Sequence, residues 1–278
     1  MVFGGIDMGY RLTLEQYAYL LDLFYAGVCL RKIARLFRAH HGLPISPATI
    51  LRIILRWVTE VDETLAYYIQ KSESGFDFKF GDLWETDEMF FAMGKSELAL
   101  MVVRDLKSGF DIGINIDFPV TIEAVKIEFK NAKFTAKKNP VELRCDGLNV
   151  YEPAAKAVFG KETKLSVFKR MNKMGQNQAI EGHNGVFRAR FNSMKSLHSK
   201  EKSPIIIRGV VIDYNFVNPS PSFCDMTPAE VALNKKPIDG VHSWLTLLKL
   251  TVEYRKNISP KKRNRRSKPK DSTLDSFS

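Results

Sequence analysis

The sequence predicts a mixed α/β sheet layered with helices, preceded by an all-α unit of helix-turn-helix type. Three observations predict it. Apolar residues recur at helical spacing through residues 1–71; three β-rich runs then follow one another across short turns; beyond them strands alternate with helical segments.

The first helix opens at Thr13, a capping hydroxyl, and carries Leu14, Tyr17, Leu20, Leu21 and Phe24 on one side until Gly27. A second runs from about Leu30 to His40, with Ile33, Leu36 and Phe37 on one face. The chain turns through Gly42 and Pro44. Ser46 followed by Pro47 then starts a third helix, whose inner side is Ile50, Ile53, Ile54 and Trp57. Two helices joined by a short glycine-containing turn form a helix-turn-helix pattern, which offers the start of its second helix to the major groove of duplex DNA. That reading exposes Thr49, Arg52 and Arg56 as DNA-binding residues. A plain helical bundle with a charged outer face is the alternative.

Ser72, Ser74 and Gly75 mark a linker, and strands begin after it. Leu83–Ala92, Leu98–Arg104 and Phe110–Ile116 read as a meander, with Ser108-Gly109 as one turn. A helix from Thr121 to Phe129, a strand from Val141 to Cys145, a helix from Glu152 to Phe159 and a short strand from Lys164 to Phe168 follow. Two more helices complete the pattern, Gln178–Lys195 and Pro204–Phe216. The expected organisation is 1–71 helical, 82–250 sheet-bearing, and 255–278 a basic disordered tail.

Composition narrows the function. The chain has 278 residues, 45% hydrophobic and 11% aromatic, as a globular protein does. Its net charge is +11, and nine Lys or Arg with no acid fall between Arg255 and Lys270. Such a tail can grip phosphates and release counterions, or serve only solubility or addressing. No apolar run is long enough to span a bilayer, and no secretory signal pattern opens the chain, so a cytoplasmic or nucleoid protein without a membrane partner is expected. Cys29, Cys145 and Cys224 are isolated and odd in number, which argues against disulfide or zinc frameworks and for buried thiols. No Ser-His-Asp set, phosphate loop or dinucleotide fingerprint is present.

Three carboxylates fall where strand ends meet helix starts. Asp87 lies inside the first strand, Asp146 ends the fourth, and Glu181 stands near the start of the long helix. Adjacent first and fourth strands bring Asp87 beside Asp146, and a helix crossing that edge adds Glu181. Their mutual repulsion is relieved by Mg²⁺, which prefers oxygen ligands. Other acids compete for these places: Asp82, Glu85 and Glu88 for the first, Asp105 as an added one, Glu162 for the third. His183, two residues after Glu181, falls on another helical face and is not expected to share a metal.

The spacing resembles a known family. Fifty-eight residues (88–145) separate Asp87 from Asp146, and 34 (147–180) separate Asp146 from Glu181; Arg188 falls seven residues after Glu181. With Trp84-Glu85-Thr86-Asp87-Glu88, Glu181-Gly182-His183-Asn184, Tyr214-Asn215-Phe216 and Met226-Thr227-Pro228-Ala229-Glu230, the stretch from Leu83 to Val231 is similar to DDE transposases of insertion sequences, the retroviral-integrase-like group. Val217-Asn218-Pro219-Ser220-Pro221 departs from that pattern by lacking a histidine. The resemblance implies a ribonuclease-H-like mixed sheet. It also implies a polynucleotidyl transferase that cuts and joins DNA with two Mg²⁺ ions, roughly 3.5–4 Å apart, for which Mn²⁺ substitutes. Asp87, Asp146 and Glu181 are then both catalytic residues and metal ligands. Arg188 would meet a phosphate near them, Arg190 and Lys195 would line a phosphate track, and synapsis of two element ends implies a homodimer on double-stranded DNA. Two other readings stand beside it: a nuclease of the same fold that cleaves without joining, and a DNA-binding regulator that uses the domain as a scaffold.

Overall fold

The computed structural model describes residues 12–71, 76–93, 96–168, 178–194, 199–234 and 243–258; at 93, 96, 178–181 and 193–194 it describes the backbone alone. Helix α1 (Leu14–Tyr25) starts on a capping box, in which Thr13 Oγ1 accepts the Gln16 N–H while Gln16 Oε1 accepts the Thr13 N–H. Helix α2 (Leu30–His41) ends on Gly42 in the left-handed conformation. Helix α3 (Pro47–Gln70) is capped by Ser46, whose Oγ accepts the Thr49 N–H at 3.1 Å. Ile50, Ile53, Ile54 and Trp57 are buried along its inner side, as their spacing predicts.

The sheet has five strands in the order β3-β2-β1-β4-β5. Strands β1 (Leu83–Met93), β2 (Ser96–Asp105) and β3 (Asp111–Asp117) form the antiparallel meander. Strands β4 (Glu142–Cys145) and β5 (Lys164–Val167) join it in parallel, with β4 beside β1. Helices α4 (Ile122–Ala136) and α5 (Tyr151–Phe159) supply the crossovers. They cover one face, burying Trp84, Met101, Val103, Ile112 and Leu143 with Phe129, Tyr151 and Phe159. The other face carries Met89, Phe91, Leu100, Val102 and Ile114. It packs under α6 (Gln178–Met194), α7 (Ser203–Ile212) and α9 (Trp244–Ile258), in one core with the buried residues of α1–α3. Among the described residues no gap in packing therefore divides 12–71 from the sheet. Tyr25 of α1 stacks on Trp244 of α9, ring centroids 5.1 Å apart.

Four expectations need correction. Helix α4 runs to Ala136, seven residues past the expected end, because Ala132 continues its buried stripe. The helix expected over Pro204–Phe216 becomes a π-helical turn at Asp213–Val217. The tail assigned from Arg255 begins inside α9, where Arg255 pairs with Glu60 at 2.8 Å; residues 259–278 lie outside the described residues. Of the three cysteines only Cys145 is buried, whereas Cys29 and Cys224 are exposed at a helix cap and a turn. Helix α8 (Pro228–Leu233), with its Thr227–Glu230 capping box, and α9 were not anticipated. Among the described residues no helix is long and apolar enough to cross a membrane.

Gly113 sets how closely α4 approaches the sheet. A Cβ built there would stand 2.6 Å from Ala132 Cβ and 2.7 Å from the Glu128 carbonyl oxygen, closer than real contacts allow. Gly113→Ala is expected to destabilise the protein by about 1–3 kcal/mol, as overpacking does. Urea unfolding with an unchanged m-value checks this.

Candidate active site

The register places two acids side by side. Leu83, Trp84 and Glu85 pair with Glu142, Leu143 and Arg144, so the line continued by two residues sets Asp146 next to Asp87. Asp87 and Val102 are directly opposed on the α6 face of the sheet; Glu88, one residue on, starts from the α4–α5 face. Asp87, Glu88 and Asp146 each offer a carboxylate oxygen, and these oxygens all lie within 4.8 Å of one another. Among the described residues this is the only His, Cys, Asp or Glu group so arranged.

Each acid is held by a different element. The Asn184 amide on α6 donates to Asp87 Oδ2 at 2.6 Å. The Tyr151 hydroxyl at the start of α5 donates to Glu88 Oε2. Asp146 Oδ1 accepts the Leu148 N–H at 3.0 Å, closing the turn after β4. Burial raises the Asp87 carboxyl above its ordinary range, and the Asp146 charge adds to this; Asn184 and Arg188 pull the other way. Glu88 is pushed up to about 6, first by burial, then by the charges of Asp146 and Asp87. Beneath them Glu128 of α4 is fully buried, accepts from Thr86 Oγ1 at 2.9 Å, and is raised well above the usual carboxylate range by desolvation. Desolvation thus favours its uncharged form.

The remaining acids weighed from the sequence have other work. Asp105 Oδ2 accepts from the Ser108 N–H and hydroxyl, and Oδ1 from the Gly81 N–H. Asp82 pairs with Lys138 at 2.6 Å, Glu85 faces Arg144 at 3.8 Å, and Glu162 is exposed. Position 181 lies on α6, one turn before Asn184 and two before Arg188; the Glu181 side chain lies outside the described residues.

Helix α6 has two functional sides. Residues 184 and 188 share the side toward Asp87, and Arg188 is exposed there. His183, Phe187 and Arg190, at i, i+4 and i+7, face inward. His183 Nε2 lies 2.9 Å from Asp111 Oδ2, both side chains wholly buried; Asp111 in turn exchanges two backbone bonds with the Asn215 amide. His183 is thus directed away from the acids, as its offset from Glu181 predicts. Arg190 was expected on a phosphate track, yet its Nη1 donates to the Tyr25 carbonyl and to Asp213 Oδ2, the latter at 2.8 Å. Lys195 lies outside the described residues.

Near the start of α3 Arg52 is exposed, but Thr49 is not. Thr49 is 6% exposed because it folds against the capping hydroxyl of Ser46, 2.9 Å away, and accepts from Arg52 Nη2 at 3.2 Å. The expected exposure of Thr49 is therefore corrected. Arg56 pairs with Glu60 at 2.7 Å. Sequence reasoning treated Glu88 as a competitor of Asp87 rather than its companion, and missed Tyr151 and Asn184. Only Asn184 left a trace, at i+3 from Glu181.

No family model matches the chain, and no curated protein matches it. Solved structures do. A chain of the simian T-cell lymphotropic virus intasome, determined in complex with the PP2A regulatory subunit B56 gamma, matches at TM-score 0.43 and 15% identity over 56% of this chain. This chain spans about half of that one, 55%. The HTLV-2 integrase catalytic core domain in complex with magnesium, in its trimeric form, matches at TM-score 0.41 and 16% identity, covering 55% of this chain and 97% of that one. The catalytic core domain of BIV integrase matches at TM-score 0.36 and 15% identity, covering 55% and 95%. The fold is ribonuclease-H-like. Its five-stranded mixed sheet, flanked by helices and preceded by α1–α3, carries that assignment.

A group raised by burial stabilises the fold most below its ordinary range and loses that contribution as pH rises through the raised value. For Glu88 the loss falls between about 4.5 and about 6. Glu88→Gln is expected to flatten the decline of melting temperature across that window in metal-free protein. Thermal melts of both proteins from pH 4 to 8 check this; an equal decline contradicts it.

Proposed function

We propose that this chain is a DDE transposase: a polynucleotidyl transferase that cleaves DNA strands and joins them to a target. The observation that carries the reading is the cluster of Asp87, Glu88 and Asp146 oxygens at the end of paired parallel strands. Half-buried carboxylates this close, each raised or crowded by the next, fit a hard divalent cation of the Mg²⁺ or Mn²⁺ type. Asp87 and Asp146 would hold it, with Glu181 from α6 as the third acid and a pair of ions as the full complement. Bound there, such ions supply Lewis acidity at phosphorus and ease deprotonation of the attacking hydroxyl.

The protein's own residues do the rest. The sheet fixes Asp87 and Asp146 on rigid strands, and Asn184 ties α6 to Asp87. Arg188, exposed on the same side of α6, offers a fixed positive charge to the scissile strand's phosphates. Water attacks first and leaves a free 3′-OH at the element end. That 3′-OH then attacks target DNA at the same site, one phosphodiester forming as another breaks, so no external energy is needed. The helix-turn-helix of α2 and α3 holds element ends, and a homodimer synapses two of them. A nuclease that stops after cleavage has no observation in its favour over this reading, and a regulator without chemistry leaves the acid cluster unexplained.

Asp87→Asn, Asp146→Asn and Glu181→Gln are each expected to lower cleavage and strand transfer at least about 100-fold, as loss of a charge-stabilising group does, while retaining duplex binding. A Mg²⁺-dependent assay on labelled linear DNA checks both steps. Wild-type rates in any one variant contradict that residue's role, and cleavage without joined product in the wild type favours the nuclease.

A further inference from the structure

The outer face of α2 carries Arg31, Lys32, Arg35 and Arg38, all exposed, and the helix contains no acid. Among the described residues none of the four has an ion-pair partner. Several cations elsewhere do: Lys126 with Glu123, Lys156 with Glu152, Arg208 with Asp62 and Arg255 with Glu60. Of the arginines expected on α3, Arg56 is held by Glu60. Unneutralised charge thus gathers on the helix before the one expected to read DNA.

The stripe also has the right shape for a polyanion. Arg31, Arg35 and Arg38 stand at i, i+4 and i+7, one face of a helix, spread over roughly 10 Å of axis. Charges on one strand of duplex DNA recur about every 3.4 Å of axis, so such a stripe meets about three phosphates. The apolar side of α2 is already used: Ile33 and Phe37 are buried, and Phe37 stacks on Tyr19 of α1. No hydrophobic wedge remains to enter a lipid surface, and no apolar anchor on the stripe suits a protein partner.

We propose that the outer face of α2, through Arg31, Arg35 and Arg38 with Lys32 beside them, is this chain's main sequence-independent grip on the phosphate backbone of duplex DNA. The assignment rests on the DNA-directed reading above and deepens it. Within the helix-turn-helix, α3 then contributes the exposed Arg52, while Thr49 and Arg56 serve the helix itself.

The test compares the wild type with two triple variants of the full chain: Arg31→Gln, Arg35→Gln, Arg38→Gln on α2, and the charge-matched Lys126→Gln, Lys130→Gln, Lys133→Gln on α4. Binding of a fluorescent random-sequence duplex is titrated from about 50 to 200 mM NaCl, the range over which counterion release dominates. Removing three phosphate contacts is expected to lower the slope of log affinity against log salt by roughly 2–3 and to weaken binding more than tenfold at the low end. The α4 variant is expected to shift the slope by less than about 1. Thermal melts confirm that both variants fold. An unchanged slope in the α2 variant, or an equal loss in the α4 variant, overturns the assignment and leaves wild-type cleavage standing. A lowered slope in the α2 variant, beside a wild type that never cleaves, supports the α2 grip and overturns the proposed reaction.

Discussion

Carboxylates that repel one another are held together here by backbone. Strand β1 runs parallel to β4, and that pairing alone carries Asp87 and Asp146, far apart in sequence, to one end of the β1–β4 pair. Glu88 leaves the strand on the opposite face yet reaches the same spot because Tyr151 draws its carboxyl toward the start of α5. Burial raises the Asp87 and Glu88 carboxyls, and the neighbouring acid charges add to the effect. Helices on both faces, the closeness of α4 at Gly113 and the buried Glu128–Thr86 hydrogen bond beneath hold that ground in place.

Helix α6 supplies Asn184 to Asp87, and its inner side is fixed by two polar contacts. His183 binds Asp111 on β3, and Arg190 binds Asp213 together with the end of α1. Between them Phe187 and Phe191 enter the shared core, where Phe191 packs on Phe91 at 4.5 Å. The outer side carries the exposed Arg188, on the side from which Asn184 reaches Asp87. Arg190 also joins α6 to the end of α1, and the Tyr25–Trp244 stack joins α1 to α9, so the N-terminal helices and α6 share one core.

Much of this was legible locally. The caps at Thr13 and Ser46, the inner stripe of α3, the meander and the strand positions of Asp87 and Asp146 all follow from spacing and residue type. What was not legible depends on distant contacts. Arg190 reads as a free cation until Asp213 is folded beside it. Thr49 reads as exposed at a helix start, although the cap itself buries it. Strand alternation separates Glu88 from Asp87, and only the tyrosine of another element reunites them. Helix α9 was lost because the basic run from Arg255 masked the Trp244, Leu247, Leu248 and Thr251 stripe that defines it.

Core residues answer to one demand, burial, and their pattern shows it. Residues at the acid cluster answer to charges that lie elsewhere in the chain. The most direct measurement of the central claim is anomalous diffraction from crystals soaked in Mn²⁺. The account predicts a strong anomalous peak between the Asp87 and Asp146 carboxylates, lost in Asp87→Asn. Well-ordered carboxylates with no peak between them, at Mn²⁺ concentrations in the millimolar range, would contradict it.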